Sequence, residues 1–227
     1  MQTKMPVIET VARQIQDMIR DGALRPGDRI PSQRVLSERL KVSRPSLREA
    51  LLTLETLGLL RTYPARGTFV VDRDAEPAAP GAWRYGDDFD IADVFRTRLV
   101  IEPELCRVAA GVITDAQLAE LEAANARFDR AWRDADLVTH VEADLAFHRV
   151  VVDASPNRLL RRLYYSVHDL LTESQRQPIP NTAQDRMAQS IEEHAAIVAA
   201  LRARDADRAA MRMRVHIGNT ALCAGIR

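Results

Sequence analysis

The chain has 227 residues, enough for one large domain or two modest ones, and its 46% apolar content can supply packed cores. Charged residues make up 28%, and with that apolar share they argue against wholesale disorder. No stretch reaches the roughly 20 apolar residues a membrane helix needs. The start, MQTKMPVIETVARQ, lacks a signal-peptide apolar block, so a soluble cytoplasmic protein is expected. Cys106 and Cys223 have no CxxC spacing and are too few for a disulfide framework; they read as buried free thiols of a reducing compartment.

The zero net charge conceals an asymmetry. Residues 1–71 carry twelve Lys and Arg against seven Asp and Glu, a net of +5, which leaves −5 for residues 72–227. A basic first third suggests that this part alone meets a polyanion, although ordinary solvation of a basic surface would look the same.

Val7, Ile8, Val11, Ile15, Met18 and Ile19 recur at helical spacing, and Asp21-Gly22 stops that helix. Ser32 is a natural N-cap for a short helix through Leu40, with Val35, Leu36 and Leu40 as its apolar face. Lys41-Val42 forms a tight turn. Ser43 caps a third helix with Pro45 in its first turn, Leu47, Ala50, Leu51, Leu54 and Leu57 facing inward, and Gly58 at its end. Two β segments, Leu59 to Tyr63 and Thr68 to Val71, follow around Pro64-Ala-Arg-Gly67. Three helices and a hairpin make a winged helix-turn-helix over residues 1–74. Pro77, Pro80 and Gly81 mark a linker at 75–89, and residues 90–227 read as successive amphipathic helices packed into an antiparallel bundle. The fold class is mainly α.

In a helix-turn-helix the second helix of the motif enters the major groove by its N-terminal end. Arg44 and Arg48 share one face there, and an arginine fork fits guanine or phosphate bidentately. Ser43 and Ser46 are placed to bond phosphate oxygens, Arg34 to reach flanking phosphates, and Gly67 to allow the wing a tight turn. Any one of these arginines could equally be a solvated surface charge. The run PSQRVLSERLKVSRPSLREAL over 31–51, then LGLL and RGTFV, resembles the DNA-binding domain of GntR-family transcriptional regulators across most of residues 7–71. The resemblance implies that Arg34, Arg44 and Arg48 contact double-stranded operator DNA, with Gly67 at the wing.

Asp144 and His148 are four apart on one helix face; His194 and His216 lie inside two later amphipathic helices. One carboxylate and three imidazoles suit a divalent transition metal, but three ordinary core histidines would fit the same spacing. This half resembles the FadR-type effector domain of the same family, the FCD bundle, with Arg-x-x-x-Glu-Pro at 98–103, Asp-x-x-x-His at 144–148, and His194 and His216. The resemblance implies a metal at those four residues, with zinc expected and nickel or manganese as alternatives. It further implies a small carboxylate effector held by Arg98, though a plain salt bridge from Arg98 to Glu102 fits too. His140 and His168 match no ligand position and read as surface or pocket-lining residues.

The leading expectation is therefore a homodimeric, ligand-responsive regulator, a repressor released by an organic or sugar acid. Two recognition helices double the DNA contact of one. A metal-sensing regulator and, from another class, a metal-dependent hydrolase are the rivals.

Overall fold

The computed structural model describes residues 7–72 and 83–226. The chain forms two compact units, Met1–Ala82 with Ile179–Asn181 and Trp83–Pro178 with Thr182–Arg227. Among the described residues no helix is long and apolar enough to cross a membrane.

In the first unit, α1 (Val7–Arg20), α2 (Gln33–Leu40) and α3 (Arg44–Thr56) precede a hairpin of β1 (Leu60–Tyr63) and β2 (Gly67–Val70). Ile15, Leu36, Leu47, Leu54 and Leu57 are fully buried, so the inward face of α3 is the one its spacing marks. Val35 departs from expectation. It is 41% exposed, because so short a helix turns only Leu36 and Ser37 fully inward. Lys41 adopts φ 54°, the left-handed cap that ends α2 and lets the chain reverse into α3. The hairpin is antiparallel, pairing Leu60 with Val70 and Tyr63 with Gly67, and Arg29 bridges to Phe69 on the outer side of β2.

The second unit holds α4 (Ile91–Ala110), α5 (Asp115–Arg133), α6 (Leu137–Ala154), α7 (Arg158–Ser166), α8 (His168–Arg176), α9 (Gln184–Arg202) and α10 (Ala206–Cys223). Three-residue connections make α5–α6 and α9–α10 antiparallel pairs. α4 lies along α10, and α9 packs against both α5 and α10. The main core joins Phe95, Cys106, Leu121, Phe147, Ile197, Leu201, Met213 and Ile217. A second cluster of Val94, Leu105, Val152, Tyr164 and Leu171 receives Trp83, whose indole N–H donates to the Phe89 carbonyl at 2.7 Å. Of the linker expected at 75–89, residues 75–82 lie outside the described residues; 83–89 fold onto the helical unit as a turn. Cys106 is buried in the core, whereas Cys223 is only half-buried, contrary to the reading of both as core thiols.

Candidate DNA interface and metal centre

The N-terminus of α3 is built by Ser43, whose hydroxyl accepts from the Ser46 N–H at 3.2 Å; the two hydroxyls share a hydrogen bond of 2.8 Å. Both serines therefore shape the first turn, and only what their hydroxyls have left over is open to phosphate. Arg44 and Arg48 extend into solvent with no ion pair among the described residues. Arg34 is also exposed, but its Nη1 lies 3.1 Å from Glu38 Oε1 in an open pair. An exposed pair of this kind is worth well under about 1 kcal/mol, so it yields readily to a phosphate.

Gly67 has φ +110°, outside what a side chain tolerates easily, and a Cβ there would meet Arg29 Nε at 2.6 Å. Its role in the wing is thus partly to admit the Arg29 guanidinium. Arg29 and Arg66 were not singled out by sequence. Arg66 lies over the rings of Tyr63 (5.4 Å) and Phe69 (6.0 Å). Tyr63 and Phe69, one aromatic residue on each strand flanking Arg66, were the available signal.

In the helical unit α6, α9 and α10 bring Asp144, His148, His194 and His216 together, one ligand atom from each lying within 4.8 Å of all the others. The three histidines are almost wholly buried. Each imidazole has its Nδ1 engaged away from the cluster. His148 Nδ1 is 2.6 Å from Glu102 Oε2, a short contact off the N–H axis. His216 Nδ1 is 2.9 Å from Glu193 Oε2. His194 Nδ1 is 3.2 Å from Asn125 Oδ1, and Asn125 is oriented by donating its amide N–H to the Ile191 carbonyl at 3.1 Å.

That leaves the Nε2 atoms facing one another. His194 Nε2 and His216 Nε2 are 3.3 Å apart, His194 Nε2 is 3.4 Å from Asp144 Oδ1, and buried His148 Nε2 has no hydrogen bond among the described residues. Burial, followed by the neighbouring imidazoles, holds His194 well below its ordinary pKa. Burial also lowers His216, against the upward pull of Glu193. A carboxylate and three imidazole nitrogens gathered around one point could hold a divalent metal ion.

Arg98 is 1% exposed; its Nε donates to Glu102 Oε1 at 2.7 Å, and its Nη1 lies 3.5 Å from Ser174 Oγ. Burial works against ionising Glu102, but Arg98 and His148 outweigh it and hold the carboxyl down at about 2. The salt bridge expected as the plain alternative for Arg98 is present. His140 is not on the surface. It is fully buried, stacked on Phe128 at 3.9 Å between ring centroids, with Nδ1 3.0 Å from the Phe128 carbonyl. Its position one turn before Asp144 on the inward face of α6 was the overlooked signal. His168 is half-buried, with Nε2 3.5 Å from Thr172 Oγ1.

Residues 7–70 match the family described as bacterial regulatory proteins, gntR family, and residues 93–219 match the FCD domain. The HTH-type transcriptional regulator LutR of Bacillus subtilis is 31% identical over 164 residues, covering 70% of this chain and 73% of that protein. The HTH-type transcriptional repressor NanR of Citrobacter rodentium is 29% identical over 216 residues (93% and 82%). The Glc operon transcriptional activator of Escherichia coli K12 is 30% identical over 179 residues (75% and 69%). All three are regulators rather than enzymes. With a winged helix-turn-helix ahead of an FCD bundle, the chain belongs to the GntR family of transcriptional regulators, in its FadR-like branch, and is a ligand-responsive DNA-binding regulator.

Proposed function

We propose that this regulator reads its operator as a homodimer through Arg44 and Arg48, and that a small carboxylate effector binds beside a zinc ion held by Asp144, His148, His194 and His216. One observation carries the metal reading: a carboxylate oxygen of Asp144 and one ring nitrogen each of His148, His194 and His216 lie within 4.8 Å of one another in a buried cluster. A bound zinc ion would supply a fixed positive charge and a position for an oxygen ligand. Nickel and manganese fit the same donors less closely.

The charges of the site favour an anionic effector. Asp144, Glu102 and Glu193 bring three negative charges, and Arg98 and Arg186, the latter 2.9 Å from Glu193, bring two positive ones. A divalent cation turns the resulting −1 into +1, which one carboxylate neutralises. The arginine fork suits a carboxylate, so Arg98, beside the cluster through Glu102, is the proposed clamp. In this reading residues 75–89 transmit effector occupancy to the DNA-binding unit. The names of the relatives include both a repressor and an activator; release of a repressor is the form proposed here.

The test is elemental analysis of the purified protein, followed by thermal-shift screening of organic and sugar acids with zinc present. A true effector raises the melting temperature in proportion to the logarithm of its concentration. Absence of bound metal would overturn the proposal. Operator release by zinc alone, with no acid required, would favour the metal sensor. Arg98→Ala would strand Glu102, so Arg98→Lys is the sharper probe of the clamp. It keeps a charge beside Glu102, removes the fork, and should reduce acid sensitivity about tenfold, or about 1.4 kcal/mol, with zinc content unchanged.

A further inference from the structure

The ligands of the cluster are supported unequally. His216 Nδ1 is hydrogen-bonded to Glu193 at 2.9 Å and His148 Nδ1 lies in a 2.6 Å contact with Glu102 that is off the N–H axis; each carboxylate is tied to an arginine, Glu102 to Arg98 at 2.7 Å and Glu193 to Arg186 at 2.9 Å. Glu193 also accepts from Asn219 Nδ2 at 2.7 Å. Among the described residues, His194 Nδ1 is backed by the neutral amide of Asn125. Glu193 immediately precedes His194 in the chain, yet it serves His216 on the next helix. Resting on the proposal that the cluster holds a divalent metal, we infer that Glu102 and Glu193 are positioning residues that lock His148 and His216 in the Nδ1–H tautomer and turn their Nε2 lone pairs to the metal.

The physical argument is one of donors and acceptors. An ionised carboxylate has no proton to give, so an imidazole nitrogen beside it must carry the hydrogen, and the other nitrogen is left as the ligand. Arg98 Nε donates to Glu102 Oε1 at 2.7 Å and Arg186 Nη2 to Glu193 Oε2 at 2.9 Å, so each carboxylate has an arginine partner inside the bundle. An isosteric glutamine breaks this logic without changing shape, because its amide offers either an oxygen or an N–H to Nδ1. The histidine is then free to take the wrong tautomer.

The experiment uses the full chain and the variants Glu102→Gln and Glu193→Gln, with Glu104→Gln as a control whose carboxylate faces Arg107 on the surface. Zinc affinity is measured by competition with a chromogenic chelator, and the tautomers by imidazole 15N NMR of the metal-free protein. The expected result is a zinc affinity lowered about 10- to 100-fold in both variants and unchanged in the control. The His148 signal in Glu102→Gln and the His216 signal in Glu193→Gln should move from the Nδ1–H form to a mixture. Zinc affinity within twofold of wild type in both variants, or Nε2–H rings in the wild-type protein, overturns the inference and leaves the metal site standing. A wild-type chain that binds no zinc overturns the metal site and this inference with it. Should Glu102→Gln fail to fold, Glu193→Gln, nearer the surface, decides alone.

Discussion

Arg44 and Arg48 are exposed on the first two turns of α3 and are free of ion pairs among the described residues, so no ion pair would have to be broken in the proposed contact with DNA. Either one replaced by alanine should weaken operator binding by about 1–3 kcal/mol while helical content is unchanged. A gel-shift titration at fixed salt checks this, and unaltered affinity would remove that arginine from the groove. His140 makes the opposite case, a polar group with no evident return. Its Nδ1 donates to the Phe128 carbonyl, but its buried Nε2 has no partner, and burial lowers its pKa so that it stays neutral. The ring already stacks on Phe128 and lies 5.2 Å from Trp132. His140→Phe keeps the stacking and removes the orphaned nitrogen, so it should stabilise the metal-free protein by about 1 kcal/mol. Denaturant titration is the check; a loss of more than 1 kcal/mol would mean that Nε2 is satisfied in solution.

At the scale of elements, helix starts were the most legible feature. Ser32 and Ser43, the two N-caps read from the sequence, cap α2 and α3 through their side chains; Asn157 on α7 and the capping box of Thr114 with Gln117 on α5 were not singled out. Ser43→Ala should cost the DNA-binding unit about 1 kcal/mol, because the Ser46 N–H loses its acceptor. Circular dichroism during thermal unfolding would show it, and an unchanged melting curve would mean that another group caps α3. The four-residue spacing of Asp144 and His148 was equally readable, since it lies within one helix. What could not be read was anything crossing between helices. Asn125 on α5 reaches His194 on α9, and Glu193 on α9 reaches His216 on α10, at separations of 69 and 23 residues that no periodicity encodes. Glu102 was visible only as the partner of Arg98. Its second contact, to His148, depends on how α4 meets α6.

At the scale of the molecule the chemistry divides as the chain does. The basic residues that suit DNA belong to the first unit, while every member of the metal cluster comes from α6, α9 or α10 in the second. A metal bound at this proposed cluster would therefore link to the stability of the second unit alone, because a ligand stabilises whatever must be folded to bind it. The expected outcome is local. Hydrogen exchange measured with and without zinc should show slower exchange in α6, α9 and α10, and in α4 through Glu102, when zinc is added. Rates in α1, α2 and α3 should stay the same. In the metal-free protein the His194 and His216 nitrogens face each other without a cation between them, so fraying of α9 from α10 near these residues is where the loss of protection should be greatest. If zinc left exchange in α9 and α10 unchanged, the four-residue cluster would not be the binding site. If it slowed α1 to α3 as strongly as α9, metal occupancy would already be felt by the DNA-binding unit without any organic acid, the behaviour that distinguishes a metal sensor from a regulator of an acid.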